Sequence, residues 1–586
     1  MRIGFITPTL HTLGPRWQRD PQIVKLAIPT ISGYLYEHGY RDIRQYDFEV
    51  EIFELEDREP GRLNLKVFFD DDDVNAYLNG EERPEIEAQV ELILHTLEVE
   101  EAEVYALSTA SVLEIYADMH SCGNINLCLV KKLKQLYPGC TTIIGGLQIS
   151  PDSLQREEYL QMLRRCDVLD FVAEGKGEPA LYALLKHLDG TTPIDESGLI
   201  IEDEGNGRFL RTSPKRSYHV PKGLARRAAK NTPSRKIITP EETPSGQQER
   251  EPLYNPSVQI TPYFDPKNIQ SRKMRGFEIL KRYHLDEKWK AELKNYIKDE
   301  VAILPLIFLE GCNATCAFCA YSMTSMAKRE ISDVIQAIAW MRETYDVKYF
   351  HFLNTNINGF YKYAEVFADE LIASNMDIYW SDCANLWAAD IKLYEKLARS
   401  GCIRLTYGVE CPSDRMLKYI RKGINVEKAH QRLKESHDVG IWNHLLLITG
   451  LPRETPEDTV AFVDFLERSK DYANGYSVSS FYLIETSLFG AFPEEFQINM
   501  HNNASGLLED QGFDEVGGLG WPEKKKQIVE STQIITDAIQ RIKVEPKYWS
   551  GAIDLELLFW LYHRLGHDRK ADIVKAYEEA FIGVPA

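Results

Sequence analysis

The stretch with the most chemical content is CNATCAFC, in which Cys312, Cys316 and Cys319 follow the apolar run ILPLIFLEG at a CxxxCxxC spacing. The chain has only ten cysteines in 586 residues, so coincidence is a poor explanation for three on one short loop. Three thiolates can hold three corners of a [4Fe-4S] cluster, whose usual ligand set is four cysteines, leaving one iron open to a small molecule. The competing reading is a zinc site, which needs a fourth Cys or His to close it. The loop supplies none, although Cys383, Cys402 or Cys411 could come from a distance.

The rest of the chain must position this loop. Its apolar content of 44% and charged content of 27% are those of a globular chain with sizeable cores. Lys plus Arg is 68 against 89 for Asp plus Glu, and the net charge of −21 opposes a phosphate backbone, which excludes nucleic acid as the main partner. Ten cysteines are too few for a disulfide scaffold. No stretch approaches the apolar length of a membrane span, and MRIGFITPTLHTLG runs straight into a strand pattern without a leader signature. The expectation is a cytoplasmic, reducing location, where free thiols can bind metal.

Four regions follow from composition and periodicity. Residues 1–205 alternate short apolar runs (RIGFIT, VEIFEL, VYALST, TTIIGG, VLDFVAEG) with helical patterns, which predicts an α/β, doubly wound, Rossmann-like parallel sheet. Ligands on such sheets bind beyond the carboxyl ends of the strands, here Ser108 to Ser111, Gly145 to Gln148 and Glu174 to Glu178. Plain strand-to-helix turns would read the same way. Residues 206–300 form a linker or surface excursion with a basic cluster and a charged helix. Residues 301–492 hold six strand candidates, each followed by a helical stretch, which predicts a partial (β/α)6 barrel with its chemistry on the loops after the strands. Residues 493–586 read as a helical C-terminal extension in which LELLFWLYHRL is a buried helix.

A CxxxCxxC loop after the first barrel strand, with the aromatic Phe318 before the third cysteine, resembles the radical S-adenosylmethionine (radical SAM) superfamily over about residues 300 to 490. Further likenesses are YGVECPSDRMLKYIRKG and the turn ITGLPRETPED. The resemblance implies that the open iron binds the amino and carboxylate groups of SAM, and that an electron from the cluster cleaves it to methionine and a 5′-deoxyadenosyl radical. It further implies that Phe318, Glu410, Gly450, Leu451 and Pro452 border SAM, and that Asn354 and Asn356, standing where relatives carry acidic residues, bind its methionyl amino group through their amide oxygens. Glu410 can accept bonds from a ribose, and Gly450 lets backbone approach a base. Cys411 replaces a more usual serine, and a buried, inert thiol is the plain reading.

The first region adds a second likeness. VYALSTASV, TTIIGGLQIS and DFVAEGKGEPAL resemble the cobalamin-binding domain fused to one large radical SAM group. The likeness implies a cobalamin tail channel bordered by Ser108, Thr109, Ala110, Gly145, Gly146, Leu147 and Gln148 and closed by Glu174, Gly175 and Gly177. His11, in a TLHTLG stretch that lacks the aspartate of histidine-on cobalamin motifs, is a candidate cobalt ligand; an ordinary loop histidine is the competing reading.

The expected function is a cobalamin-dependent radical SAM methyltransferase that alkylates an unactivated carbon, or phosphorus, of a small-molecule or peptide substrate. The alternative is a radical SAM enzyme that forms or contracts rings or couples carbons without methyl transfer. The expected cofactors are a [4Fe-4S] cluster, SAM and cobalamin, and the expected partner is an external electron donor of the flavodoxin or ferredoxin type.

Overall fold

The computed structural model describes residues 1–7, 26–48, 51, 55, 58–108, 119–147, 169–174, 177–191, 200–204, 207–211, 256–274, 285–293, 302–323, 326–484, 487–501, 511–542 and 555–580. It divides into two compact units, Met1–Lys215 with Ile260–Met274, and Arg216–Gln259 with Arg275–Ala586.

The first unit is built on strands β1 (Ile3–Thr7), β2 (Ile43–Asp47), β3 (Val104–Ser108), β4 (Thr141–Leu147), β5 (Phe171–Glu174), β6 (Ile200–Glu204) and β7 (Gly207–Arg211). They form one sheet in the order β2-β1-β3-β4-β5-β7-β6, parallel except for the β6–β7 hairpin. β1 to β5 follow the flavodoxin-type doubly wound order, which places a topological switch point between β1 and β3. Alternate residues of each strand enter different cores. Ile3, Phe5, Val104, Ala106 and Ile143 pack with the helices Ala27–Glu37 and Gly177–Leu188. Ile6, Tyr105, Leu107 and Ile144 pack with Asp71–Leu78, Pro84–Thr96 and Met119–Leu136. Both faces are therefore apolar, as a covered parallel sheet requires.

Two elements differ from the sequence reading. VEIFEL was expected as a strand, but Phe48, Glu51 and Leu55 are helical, and Phe48 and Leu55, seven residues apart, are both buried as one helical face allows. The strand is the preceding Ile43–Asp47. The segment Ile260–Met274 docks on this strand. Gln45 donates to the Tyr263 carbonyl (2.8 Å) and accepts from the Asp265 N–H (3.1 Å), and buried Arg272 pairs with Asp47.

In the second unit the strands are β8 (Ile303–Leu306), β9 (Leu309–Glu310), β10 (Ala327–Lys328), β11 (Tyr349–Phe352), β12 (Tyr379–Ala384), β13 (Cys402–Glu410), β14 (Trp442–Thr449) and β15 (Gly475–Ser480). Six of them form a parallel sheet in the order β15-β14-β13-β12-β11-β8, open between its first and last strands. Helices follow the strands, and in Ile331–Tyr345 the residues Val334, Ala337, Ile338, Met341 and Tyr345 make the buried stripe. One sheet face, with Phe350, Phe352, Trp380, Leu405, Leu445 and Leu447, is packed under these helices.

The last region is not purely helical, because β16 (Ile498–Met500) and β17 (Phe513–Glu515) form an antiparallel pair. Among the described residues the α-helices Trp521–Ile542, Leu555–Leu565 and Lys570–Ala580 follow. Leu555 to Tyr562 are all buried. This helix and its successor close the amino-terminal end of the sheet. The Tyr562 hydroxyl donates to the Gly440 carbonyl (2.8 Å), and the Trp442 ring meets Tyr577 edge-on. No helix among the described residues is long and apolar enough to cross a membrane.

Candidate active site

The cysteine loop leaves β9 through Gly311, at φ +93°, a left-handed conformation suited to glycine. β9 pairs antiparallel with β10, so the loop is pinned at both stems. Midway, the Ala317 N–H donates to the Ile420 carbonyl (2.8 Å) and the Phe489 N–H donates to the Ala317 carbonyl (2.9 Å). Cys316 is buried, and Cys312 and Cys319 are half-buried. The Ala314 N–H (3.4 Å) and the Asn356 amide (3.8 Å) both donate to Cys312 Sγ. Burial pushes the Cys316 thiol up to about 11 and raises Cys319 as well, so a bound cation is what would make them thiolates near neutral pH.

No three His, Cys, Asp or Glu side chains among the described residues converge as ligands of a single metal ion. Cys402 and Cys411 are fully buried, and burial holds Cys383 at about 12. Three thiols on one loop suit a cluster in which each sulfur takes a different iron.

Beside the loop lies a buried ion pair that the sequence reading only half identified. Glu410 ends β13 after a bulge, at φ +67°, a conformation that strains a non-glycine residue. Its Oε1 accepts from Lys422 Nζ at 2.7 Å, with both side chains largely enclosed. Burial alone would lower the Lys422 pKa, but Glu410 outweighs it and holds the ammonium protonated, and thiolates at Cys316 and Cys319 would add to that hold. The ammonium is also 5.7 Å from the centre of the Phe318 ring. A Cβ at Gly408 would sit 2.2 Å from Glu410 Oε1 and 2.7 Å from Lys422 Nζ, so the glycine makes room for the pair. Lys422 lies in the quoted segment IRKG, where a lysine after a short helix reads as surface until its fold is known.

Asn354 and Asn356 belong to a ladder of amides. Asn354 Oδ1 accepts from the Phe308 (3.0 Å) and Leu309 (2.8 Å) N–H groups, and its Nδ2 donates to Asp382 (2.7 Å). Asn356 Oδ1 accepts from Asn385 Nδ2 (2.8 Å). Both oxygens thus hold the strands around the cysteine loop. Asp382 is fully buried, which raises its pKa well above the ordinary carboxylate value. It was not singled out from the sequence, since a lone Asp within a strand pattern carries no local signal.

Gly450, Leu451 and Pro452 turn the chain after β14, Gly450 at φ +81°. The N–H groups of Gly450 (2.8 Å) and Leu451 (3.1 Å) both donate to Glu454 Oε2. The second face of the sheet is polar. Leu446 is 38% exposed although β14 lies between β13 and β15, so it opens on the face opposite the packed helices. Alternation places His444, Thr406 and Arg404 on that side. His351 Nδ1 meets Ser381 Oγ and His444 Nε2 meets Ser477 Oγ, each at 2.8 Å. Burial, aided by Arg404, pushes His351 down to about 3 and lowers His444 as well, keeping both imidazoles neutral.

In the first unit, Ser108 pairs with Gly145 and Leu147 with Glu174, so three neighbouring strand ends carry the expected residues side by side. The Ser108 carbonyl accepts from buried Asn126 (3.2 Å). Gly146 lies within the β4 backbone. Gly177 opens its helix, where a Cβ would press on Ile31 at 2.8 Å. His11, Thr109, Ala110, Gln148 and Gly175 lie outside the described residues.

Comparison with known proteins agrees with this geometry. The profile of the radical SAM superfamily matches residues 306–466. The cytidylyl-2-hydroxyethylphosphonate methyltransferase of Streptomyces wedmorensis is 24% identical over 335 residues, 54% of each chain. An uncharacterised methyltransferase of Pyrococcus horikoshii is 25% identical over 186 residues, 31% of this chain and 40% of its own. The chain therefore spans about half the length, or less, of these curated relatives. Among solved structures, the radical SAM methyltransferase TsrM from Kitasatospora setae, with cobalamin and a [4Fe-4S] cluster bound, superposes with a TM-score of 0.55 at 14% identity, covering 99% of this chain and 100% of its own. The cobalamin-dependent SAM radical enzyme OxsB, with aqua-cobalamin and SAM bound, gives 0.54 at 13%, covering 100% and 82%. The chain shares the fold of both, and residues 306–466 form a radical SAM domain.

Proposed function

We propose that this protein is a cobalamin-dependent radical SAM methyltransferase acting in the cytoplasm on a carbon or phosphorus centre of a small-molecule or peptide substrate. The observation that carries the reading is the loop of Cys312, Cys316 and Cys319 at the carboxyl end of an open parallel sheet, with the Glu410–Lys422 pair beside it. The likeness in fold to two cobalamin-dependent SAM enzymes over nearly the whole chain supports it.

In this reading the first unit, Met1–Lys215 with Ile260–Met274, holds cobalamin, residues 301–492 are the radical SAM barrel, and residues 493–586, with the β16–β17 pair and their helices, are an extension. The three thiolates would hold a [4Fe-4S] cluster, and Lys422 would offset part of their charge. Phe318, Glu410 and the Gly450–Pro452 turn would border SAM, with Asn354 and Asn356 fixing the loop against β11. Ser108, Gly145, Gly146, Leu147, Glu174 and Gly177 would line the cobalamin tail channel, together with Thr109, Ala110, Gln148 and Gly175. Leu446, exposed on the face of the sheet opposite its helices, would face the substrate. When bound, the cluster supplies the electron that cleaves SAM, and cobalamin carries the methyl group. A flavodoxin- or ferredoxin-type donor would supply the electrons.

The test is to incubate reduced, cofactor-loaded protein with deuterated-methyl SAM. Label on the bound cobalamin together with 5′-deoxyadenosine release is the expected result. Deoxyadenosine without label would replace methyl transfer by ring-forming or rearranging chemistry, and neither product would refute both readings.

A further inference from the structure

We infer that Lys524, on the helix Trp521–Ile542, is a positioning residue for the Gly450–Pro452 turn and tunes SAM binding from outside the radical SAM domain. The inference rests on the proposed reading of that turn as part of the SAM site.

The turn is gripped from behind almost residue by residue. The Thr449 and Thr532 hydroxyls bond at 2.6 Å. Ile528 occupies the space a Gly450 Cβ would need, at 2.2 Å. Lys524 Nζ donates to the Leu451 carbonyl (2.7 Å) and to Gln527 Oε1 (2.9 Å), and it pairs with Glu515 Oε1 at 3.1 Å. The same Glu515 oxygen accepts from the Arg453 N–H (2.8 Å), and Gln527 Nε2 donates to the Glu454 carbonyl (3.0 Å).

The lysine side chain is fully enclosed and Glu515 is 5% exposed. Burying an ammonium is costly, and an apolar pair in place of Lys524 and Glu515 would fill the space at little loss of stability. What methionine could not supply is a donor to Leu451 and a positive charge near Glu454. That carboxylate accepts the Gly450 and Leu451 N–H bonds, and Glu454 Oε1 is buried without a hydrogen-bond partner. Burial pushes Glu454 up to about 7, Lys524 opposes that rise, and Asp458 adds to it. Arg415 and the buried Cys411 thiol are the other ionisable groups coupled to it. Without the ammonium, Glu454 would lose its proton only at higher pH, and the turn would lose its charged acceptor near neutrality.

The experiment is anaerobic calorimetry of SAM binding to cluster-loaded, full-length protein across a pH series. Wild type should show an affinity midpoint near pH 7, as Glu454 ionises. Lys524→Met should bind SAM about tenfold more weakly at neutral pH and shift the midpoint upward, because a charge-assisted bond and its field are both lost. Lys524→Arg should restore most of the affinity. If Lys524→Met does not keep its iron, the Lys524→Met/Glu515→Gln double variant, which removes the charges of this ion pair, gives the same readout. Unchanged affinity and midpoint would overturn the positioning role while leaving the SAM site intact. A wild-type protein that binds no SAM would overturn the site reading, and this inference with it.

Discussion

The two parallel sheets of this chain differ in where they leave room for chemistry. In the first, both faces of β1 to β4 are sealed by helices, with Ile3, Phe5, Val104 and Ala106 on one side and Ile6, Tyr105 and Leu107 on the other. A ligand can then bind only beyond the strand ends, where Ser108 and Gly145 lie. In the second sheet one face is sealed and the other carries Arg404, Thr406 and His444 below an exposed Leu446. Such a sheet can take a ligand against its face as well as at its ends. β3 reads VYALS, apolar nearly throughout, whereas β13 reads CIRLTYGVE and alternates from Ile403 onward. Period-two alternation in a parallel strand marks a face that does not join an apolar core.

The largest effect should come from Asn354→Ala. It strips the partner from two backbone N–H groups, of Phe308 and Leu309, and leaves the Asp382 carboxyl with the Cys383 N–H but without its amide donor, all next to the cysteine loop. Buried unsatisfied groups at about 1–3 kcal/mol each predict a loss of about 3 kcal/mol or more by denaturant unfolding, with reduced iron retention. Wild-type stability in this variant would mean that the amide ladder does not hold the loop.

A pair of glycine substitutions sharpens the contrast between the sheets. In Gly33→Ala the new Cβ meets the Thr261 backbone carbonyl at 2.2 Å, and in Gly408→Ala it meets only side-chain ends. Gly33→Ala should cost about 2–3 kcal/mol and lower cobalamin retention with iron unchanged, because overpacking against backbone has little room to relax. Gly408→Ala should cost about 1 kcal/mol and weaken SAM binding several-fold with cobalamin unchanged. If either variant altered iron and cobalamin together, the assignment of each cofactor to its own sheet would fail.

Much of this was legible in the sequence because the signals are local. CxxxCxxC, the six strand runs and the GLP turn each lie within a few residues, and helices such as LELLFWLYHRL announce burial by composition. What escaped depends on pairings across the chain. Lys422 meets Glu410 twelve residues away through a bulged strand, Asp382 meets Asn354 across two strands, and Lys524 reaches Leu451 from a distant helix. The β6–β7 hairpin was missed although Asn206-Gly207 is a turn signal, because its strands, rich in charge, read as surface. VEIFEL misled because its apolar residues fit period two as well as a helical face.

The central claim is that one chain carries both a three-thiolate iron–sulfur cluster and cobalamin. It is tested most directly by measuring iron and cobalt in one anaerobically reconstituted preparation, wild type beside the Cys312→Ala/Cys316→Ala/Cys319→Ala variant. The account predicts about four irons and about one cobalt per wild-type chain, with the iron lost and the cobalt kept in the variant. Stoichiometric zinc with silent iron spectra, or a chain that retains no corrin, would contradict it.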